Sequence, residues 1–194
     1  MGNKLILTSY GLTTAVGRKL IGKELKNLNL AEKKIFLFHG PYFSIEEFLI
    51  QVCEEFGFSK ENIILSGRQK SNEEVLQCDF FYVTEGNTFE ILQLMRDFGL
   101  DHLIKQAFSA GNKTYIGASA GAAIAGVSIE EVLNFDRNHD HMTDFRALGL
   151  FDGIVIPHYT KGELKRYIEN SPGIERKYRT ILSVANEKSL VMEV

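Results

Sequence analysis

Short apolar runs alternate with longer amphipathic segments along this chain. Each apolar run is a few residues long, rich in Ile, Val, Phe and Tyr, and ends in Gly, Ser or a polar residue. Near-continuous apolar character, as opposed to strict alternation, is typical of strands that are buried on both faces of a parallel sheet. The pattern predicts strands at 4–10, 33–40, 62–67, 79–86, 113–119 and 153–159.

The segments between these runs carry apolar residues at three- and four-residue spacing, as amphipathic helices do. The spacing predicts helices at 12–28, 44–57, 88–111 and 161–172. Ser44 followed by Glu47 matches a capping box at a helix start. Gly57 and Gly111 suit helix C-caps, because glycine adopts the left-handed conformation found there.

The alternation of strands and helices predicts an α/β fold with a doubly wound, mostly parallel sheet, flanked by helices on both faces. The whole chain, 1–194, is predicted to form a single domain. Two apolar runs within 180–194 flank Asn186-Glu187, which predicts a C-terminal antiparallel hairpin. Ligands bind outside the carboxyl ends of strands in such sheets, so polar residues there are candidates for function. These are Ser9, His39, Glu85, Asn87, Ser119 and His158.

Composition and charge narrow the class of protein. Hydrophobic residues make up 44% of the chain and charged residues 24%, as in ordinary globular proteins. A net charge of −3 offers no basic surface for nucleic acid, and no apolar run reaches the about 18 residues of a membrane span. Cys53 and Cys78 form no CxxC motif and suit buried thiols in a reducing compartment. We therefore expect a cytoplasmic protein that binds neither nucleic acid nor membrane.

The segment Gly117-Ala118-Ser119-Ala120-Gly121 matches G-x-S-x-G, the nucleophile elbow, between a predicted strand and a predicted helix. Small flanking residues allow a sharp turn that lifts the serine hydroxyl above the sheet. The helix start offers free N–H groups, and that of Ala120 is a candidate donor to an oxyanion. The pentapeptide alone equally fits a tight crossing in which Ser119 caps the helix, but the strand–turn–helix context favours catalysis.

A serine hydroxyl needs a base to become a nucleophile. His158 ends an apolar strand after Pro157 and is the predicted base, with His39, at the end of another strand, in reserve. The His-Asp-His triplet at 139–141 lacks a further metal ligand, so a solvated loop is predicted there and no metal site.

A second oxyanion donor is expected from the predicted strand-to-helix turn within 83–92. Gly86 followed by Asn87 would let backbone N–H groups come close to a ligand. Thr88 is the predicted cap of the following helix.

Three segments together resemble the dipeptidase E (alpha-aspartyl dipeptidase) family of serine peptidases, whose fold resembles the class I glutamine amidotransferase domain. They are FYVTEGNTFEIL, YIGASAGAAIAG and LGLFDGIVIPHYT, and their order and spacing run through most of the chain. The resemblance implies a Ser119–His158 pair, an oxyanion hole at Gly86 and Ala120, and no cofactor. We expect hydrolysis of short peptides through an acyl-enzyme, by a monomer or a homodimer. The amidotransferases use Cys where this chain has Ser119, which argues against glutaminase chemistry.

The resemblance also implies an acidic third triad member shortly after the elbow. Asp136 lies closest to the expected place and is the predicted residue. The competing carboxylates are Glu130, Glu131 and Asp140.

The predicted substrate-binding residues depart from the family pattern. The loop contains Glu85, Gly86 and Asn87 where many members have Gly-Gly-Asn, so we expect Glu85 to crowd or acidify the pocket. Aspartyl-specific members carry an Arg in the stretch where this chain has Glu130 and Glu131, and Arg137 is the only basic residue nearby. The sequence therefore gives no basis for a preference for N-terminal Asp.

Two alternatives to a peptidase remain open. They are an esterase of related mechanism and a catalytically silent binding or regulatory module on the same fold.

Overall fold

The computed structural model describes residues 2–139, 141–160 and 173–194. The strands form a six-stranded sheet and a separate two-stranded sheet. The larger sheet contains β1 (Lys4–Thr8), β2 (Ile35–Phe38), β3 (Ile63–Leu65), β4 (Phe80–Val83), β5 (Thr114–Ala118) and β8 (Ser189–Glu193). The smaller sheet contains β6 (Ile154–Ile156) and β7 (Ile181–Ser183).

The order of the larger sheet is β3-β2-β4-β5-β1-β8. Its first five strands are parallel, and β8 joins the edge antiparallel to β1. Gly117 of β5 lies opposite Val83 of β4 and Leu7 of β1, so these three strands end side by side. The loops that follow them are therefore brought to the same point, where ligands bind in such sheets.

Helices cover both faces of the larger sheet, as predicted. They are α1 (Ala15–Leu25), α2 (Glu46–Phe56), α3 (Asn72–Leu76), α4 (Thr88–Asp97), α5 (Leu100–Ser109), α6 (Ala120–Ile124) and α7 (Ile174–Lys177). Strand β1 shows why both faces need a cover, because successive side chains point to opposite sides. Ile6 lies in one buried cluster with α1 and α2, whereas Leu5 and Leu7 lie in a second cluster with α3 to α6.

Several predicted helices have different limits. The predicted helix 88–111 is two helices, because the chain turns at Gly99, whose φ is 66°. The predicted helix 161–172 lies outside the described residues. The capping box is wrong, since α2 begins after Ile45 without a side-chain cap. Gly57 is confirmed as a left-handed C-cap with φ 106°.

The predicted C-terminal hairpin is wrong, although both of its strands form. Strand β7 pairs in parallel with β6, and β8 pairs antiparallel with β1. Asn186-Glu187 therefore lies in a link between two sheets. Turn residues in a sequence mark where the chain changes direction, but not which strand becomes the partner, which is decided by the packing of distant segments.

Candidate active site

The backbone at Ser119 makes the sharp bend of a nucleophile elbow. It has φ 49° and ψ −106° between β5 and α6, a conformation that L-residues seldom adopt. Both flanking glycines are required by close approach: a β-carbon at Gly117 would lie 2.5 Å from the oxygen of Gly121, and one at Gly121 would lie 2.2 Å from that of Val83. Strain of this kind costs about 1–3 kcal/mol and clusters at functional sites.

The predicted nucleophile and base are brought together. Ser119 Oγ lies 2.9 Å from His158 Nε2, which is hydrogen-bond distance. The two residues come from different sheets, since Ser119 follows β5 and His158 follows β6. His158 also has a positive φ, 56°, so both sides of this contact are held in uncommon backbone conformations.

The other imidazole nitrogen contacts an amide. His158 Nδ1 lies 2.9 Å from Asn186 Oδ1. An amide oxygen can only accept, so Nδ1–H donates and Nε2 keeps its lone pair for the hydroxyl proton of Ser119. The third residue of the constellation is thus Asn186, in the link between β7 and β8.

The structure places Asp136 elsewhere, which corrects the predicted triad. Its carboxylate accepts hydrogen bonds from the Thr88 backbone N–H at 2.8 Å and from the Thr88 hydroxyl at 2.7 Å. A carboxylate at the first turn of α4 is stabilised by the free N–H groups and the helix dipole. Its short sequence distance from the elbow reflects this packing and not a contact with His158.

Two of the competing carboxylates, Glu130 and Glu131, do not contact His158 either. Glu130 pairs with Lys177 and accepts a hydrogen bond from the Tyr178 hydroxyl at 3.1 Å. The hydrogen bond from Lys177 lowers the pKa of Glu130. Glu131 is fully buried, and Asp140 lies outside the described residues.

The other histidines considered as base or metal ligand have different surroundings from His158. His39 is buried with Nε2 3.2 Å from Glu46, which also pairs with Arg68. His139 and His141 are exposed, and no group of three possible metal ligands occurs among the residues that the structure describes.

The end of β1 holds the imidazole in place. The Ser9 hydroxyl accepts a hydrogen bond from the His158 backbone N–H at 2.9 Å and donates to the Val184 carbonyl at 2.8 Å. The Tyr10 ring packs edge-on against the imidazole, with 5.4 Å between ring centroids. Ser9 is recognisable in the sequence as a polar residue at a strand end, but its bridging role depends on contacts between distant segments.

The predicted oxyanion donors lie on adjacent loops. The Ala120 N–H, at the start of α6, has no acceptor in the described part of the chain. The Gly121 N–H donates to the Thr84 carbonyl at 3.2 Å, which fixes the elbow beside the loop of Gly86. Gly86 has φ 145°, and a β-carbon there would lie 2.6 Å from the Tyr42 hydroxyl. That these two N–H groups stabilise an oxyanion stays a prediction.

The predicted substrate-binding residues fall into different surroundings. Asn87, not Thr88, caps α4, and its amide nitrogen donates to the carbonyl of Arg137 at 2.9 Å. Arg137 itself is exposed. Glu85 is half-buried, and its carboxylate accepts hydrogen bonds from the hydroxyls of Thr13 and, at 3.4 Å, Tyr82. Burial raises the pKa of Glu85, against opposing hydrogen bonds and the nearby His158.

The family model for peptidase family S51 matches residues 42–193. This chain belongs to that family. Among relatives of this S51 chain, an uncharacterized peptidase of Listeria innocua, Lin0382, is 34% identical over 116 residues, which are 59% of this chain and 55% of the relative. Peptidase E of Haemophilus influenzae is 31% identical over 105 residues, 54% of this chain and 47% of the relative. The chain spans about half the length of the curated relatives it matches.

The fold of this S51 chain also matches solved structures. The crystal structure of a candidate peptidase E protein from Listeria monocytogenes EGD-e has a TM-score of 0.65 at 26% identity, and the match covers 100% of both chains. The predicted resemblance to the dipeptidase E family and the predicted α/β fold are confirmed.

Two further expectations concern residues outside the site. Cys53 and Cys78 are both free and buried, and burial raises the pKa of each thiol to about 12. Neither thiol is therefore a nucleophile at neutral pH, which leaves Ser119 as the candidate. Within the described residues, no helix has the length and apolar character needed to cross a membrane.

Proposed function

We propose that this S51 chain is a serine peptidase that cleaves short peptides through an acyl-enzyme. The observation that carries the proposal is the 2.9 Å contact between Ser119 Oγ and His158 Nε2 at a strained elbow. Family membership supports hydrolysis of peptide bonds. Two buried thiols are in keeping with a reducing, cytoplasmic location.

The proposed reaction is acyl transfer to water. His158 Nε2 takes the proton of the Ser119 hydroxyl as Oγ attacks the scissile carbonyl, and the N–H groups of Ala120 and Gly86 hold the oxyanion. His158 then gives that proton to the leaving amine as the C–N bond breaks. In the second half, His158 takes a proton from water as the water oxygen attacks the acyl carbon. The proton then passes to Ser119 Oγ as the bond between the acyl carbon and Oγ breaks and the acid product leaves.

Asn186 has a positioning role in this scheme. Its amide oxygen accepts from Nδ1–H and holds the ring in the tautomer that leaves Nε2 free to act as the base. An amide carries no net charge, so it orients the imidazole without neutralising the imidazolium that forms during the reaction.

Substitution of the serine tests the proposal. We expect Ser119→Ala to abolish labelling by a fluorophosphonate and to lower kcat on short peptides by about a thousandfold or more, because the nucleophile is lost. Ser109→Ala is the matched control, since the Ser109 hydroxyl bonds only the carbonyl of Lys105 on an exposed helix end. Circular dichroism confirms folding.

The same assay separates the alternatives. Labelling of the wild type with turnover of acyl esters but not of peptides would assign an esterase. Folded wild-type protein that resists the probe, or Ser119→Ala that cleaves peptides at the wild-type rate, would contradict the proposal. The first of these results would favour a catalytically silent binding module.

A further inference from the structure

We propose that Glu85 selects substrates that carry a positive charge on the residue supplying the scissile carbonyl. The inference rests on the proposed peptidase function and specifies its substrate class. The recognised group is an ammonium or guanidinium, which either the free α-amino group or a basic side chain of that residue can supply.

The position of Glu85 places its carboxylate beside the reacting residue. Glu85 immediately precedes Gly86, whose N–H is the proposed oxyanion donor, and it follows the end of β4. The hydrogen bond from Gly121 to Thr84 keeps this loop against the elbow. Successive Cα atoms are about 3.8 Å apart, so a carbonyl bound at Gly86 has the rest of its own residue within reach of Glu85.

The carboxylate is held in one place by its neighbours. The Tyr82 hydroxyl accepts a hydrogen bond from the Leu12 N–H at 3.1 Å and donates to Glu85 at 3.4 Å. A β-carbon at Gly11 would lie only 1.6 Å from Glu85 Oε2, so the carboxylate occupies the space that this glycine leaves. Tyr10, next in the chain to Gly11, packs on His158, so the carboxylate lies against the segment that contacts the proposed base.

Among the described residues, no lysine or arginine balances the negative charge of Glu85. Its hydrogen-bond donors, the hydroxyls of Thr13 and Tyr82, are neutral. No Lys or Arg in the described ranges forms an ion pair with it. Burial raises its pKa accordingly, because a desolvated carboxylate without a counter-charge is unfavourable. A cation from the substrate would offset this cost through charge-assisted hydrogen bonds.

Two basic side chains in the described part of the chain, those of Arg18 and Lys177, have other partners. Arg18 donates to the Leu12 carbonyl at 3.0 Å and lies 5.3 Å from the centre of the Phe48 ring. Lys177 pairs with Glu130. The described surroundings of Ser119 therefore favour a cationic substrate and disfavour one with an acidic side chain.

Aminoacyl coumarin amides test the proposal on the wild type and Glu85→Gln. The matched series is lysine, norleucine and aspartate, each with a free or an acetylated α-amino group, because norleucine keeps the lysine chain without its charge. We expect Glu85→Gln to lower kcat/KM about 10- to 100-fold for cationic substrates, while acetyl-norleucine changes by less than about twofold. If the effect of Glu85→Gln on kcat/KM disappears when the α-amino group is acetylated, Glu85 recognises that group. If the effect is confined to the lysine substrates, Glu85 recognises the side chain.

Asp97→Asn is the control for the general loss of a negative charge. Asp97 lies at the far end of α4, about 13 Å from its start at 1.5 Å per residue, and accepts from Gln93 at 2.8 Å. We expect its kinetics to match the wild type for every substrate. An equal fall on all substrates in Glu85→Gln would overturn the proposal, because the carboxylate would then act through His158. A wild type that prefers acetyl-aspartate, which carries no cation, to the cationic substrates would also overturn it.

A binding measurement separates failure of this proposal from failure of the peptidase function. NMR titration with lysine amide, norleucine amide and acetyl-norleucine amide needs no turnover, and fluorophosphonate labelling reports the serine independently. Tighter binding of lysine amide that is lost in Glu85→Gln supports cation selection even if the coumarin amides are not cleaved. Equal binding of lysine amide and of acetyl-norleucine amide, which carries no cation, overturns it even if the serine reacts.

Discussion

Asn186 presents an uncharged oxygen to His158 where many serine hydrolases present a carboxylate. In a Ser–His–Asp triad the carboxylate both orients the imidazole and stabilises its charged form. The amide, 2.9 Å from Nδ1, supplies only the first of these effects. The contribution of Asn186 therefore lies in the orientation of the ring, which a substitution can remove without changing any charge.

We expect Asn186→Ala to lower kcat about 10- to 100-fold with little change in KM, because Nδ1–H loses its partner and the ring can turn away from Ser119. Steady-state kinetics on a cleaved peptide measure the effect. Asn62→Ala is the control, since the Asn62 amide bonds only the carbonyl of Ala31 at an exposed position. Wild-type kcat in Asn186→Ala would show that the amide does not position the base.

Sequence patterns located two of the three side chains in this constellation. Ser119 and His158 were predictable, because a motif or a strand end identifies each from its own neighbours in the chain. Asn186 was not, since nothing in a turn sequence states which side chain faces across a gap to another loop. Asp136 was wrongly predicted as the third triad residue because it is acidic and near the elbow in sequence. Its carboxylate instead contacts the start of α4.

At the scale of elements, the end of β1 joins the two sheets. The Ser9 hydroxyl bonds the backbone of His158 after β6 and that of Val184 after β7. Ser9 and Val184 are both buried, so neither hydrogen bond can be replaced readily by water. The position of the imidazole thus depends on a side chain of the larger sheet.

We expect Ser9→Ala to lower the free energy of unfolding by about 1–3 kcal/mol, because it leaves the Val184 carbonyl and the His158 N–H without this partner. The kcat on a cleaved peptide falls as well, since the imidazole is less well placed. Urea unfolding and kinetics measure the two effects. Ser59→Ala, which removes an exposed bond to the Ala31 carbonyl, is the control, and unchanged stability in Ser9→Ala would contradict the bridging role.

Periodicity predicted where elements lie better than where they end. It marked 88–111 as one helix because apolar spacing continues through Gly99, and the break there comes from the left-handed backbone of that glycine. It also predicted a hairpin from two apolar runs and a turn. Strand pairing depends on contacts between distant segments, so the partners of β7 and β8 were not encoded locally.

At the scale of the whole molecule, one buried carboxyl links stability to pH. Glu131 is fully buried, and neither carboxyl oxygen has a hydrogen-bond partner within the described residues. Burial raises its pKa from 4.5 to about 8.

The alternation of strands and helices predicted the α/β class and the cover on both faces of the sheet. The division into two sheets and the burial of Glu131 were not predictable, because they depend on tertiary packing.

We expect the wild type to lose stability as pH rises from about 5 to about 8, because the unfolded chain releases the Glu131 proton there while the folded chain keeps it. The loss is at most about 1.4 kcal/mol per pH unit. We expect Glu131→Gln to remove this pH dependence. Its free energy of unfolding should exceed that of the wild type most clearly at pH about 8, and urea unfolding at pH about 5 and about 8 measures the difference. The exposed Glu55→Gln is the control, and parallel pH profiles for wild type and Glu131→Gln would contradict the assignment.

The division of the strands into two sheets has a consequence for how the site can fail. The imidazole follows β6 of the smaller sheet, whereas the hydroxyl of Ser119 follows β5 of the larger one. A displacement of about 1 Å between the two sheets would lengthen the contact between Ser119 Oγ and His158 Nε2, and misplacement on that scale can cost about a hundredfold in rate. Activity would then be lost although each sheet kept its own internal structure.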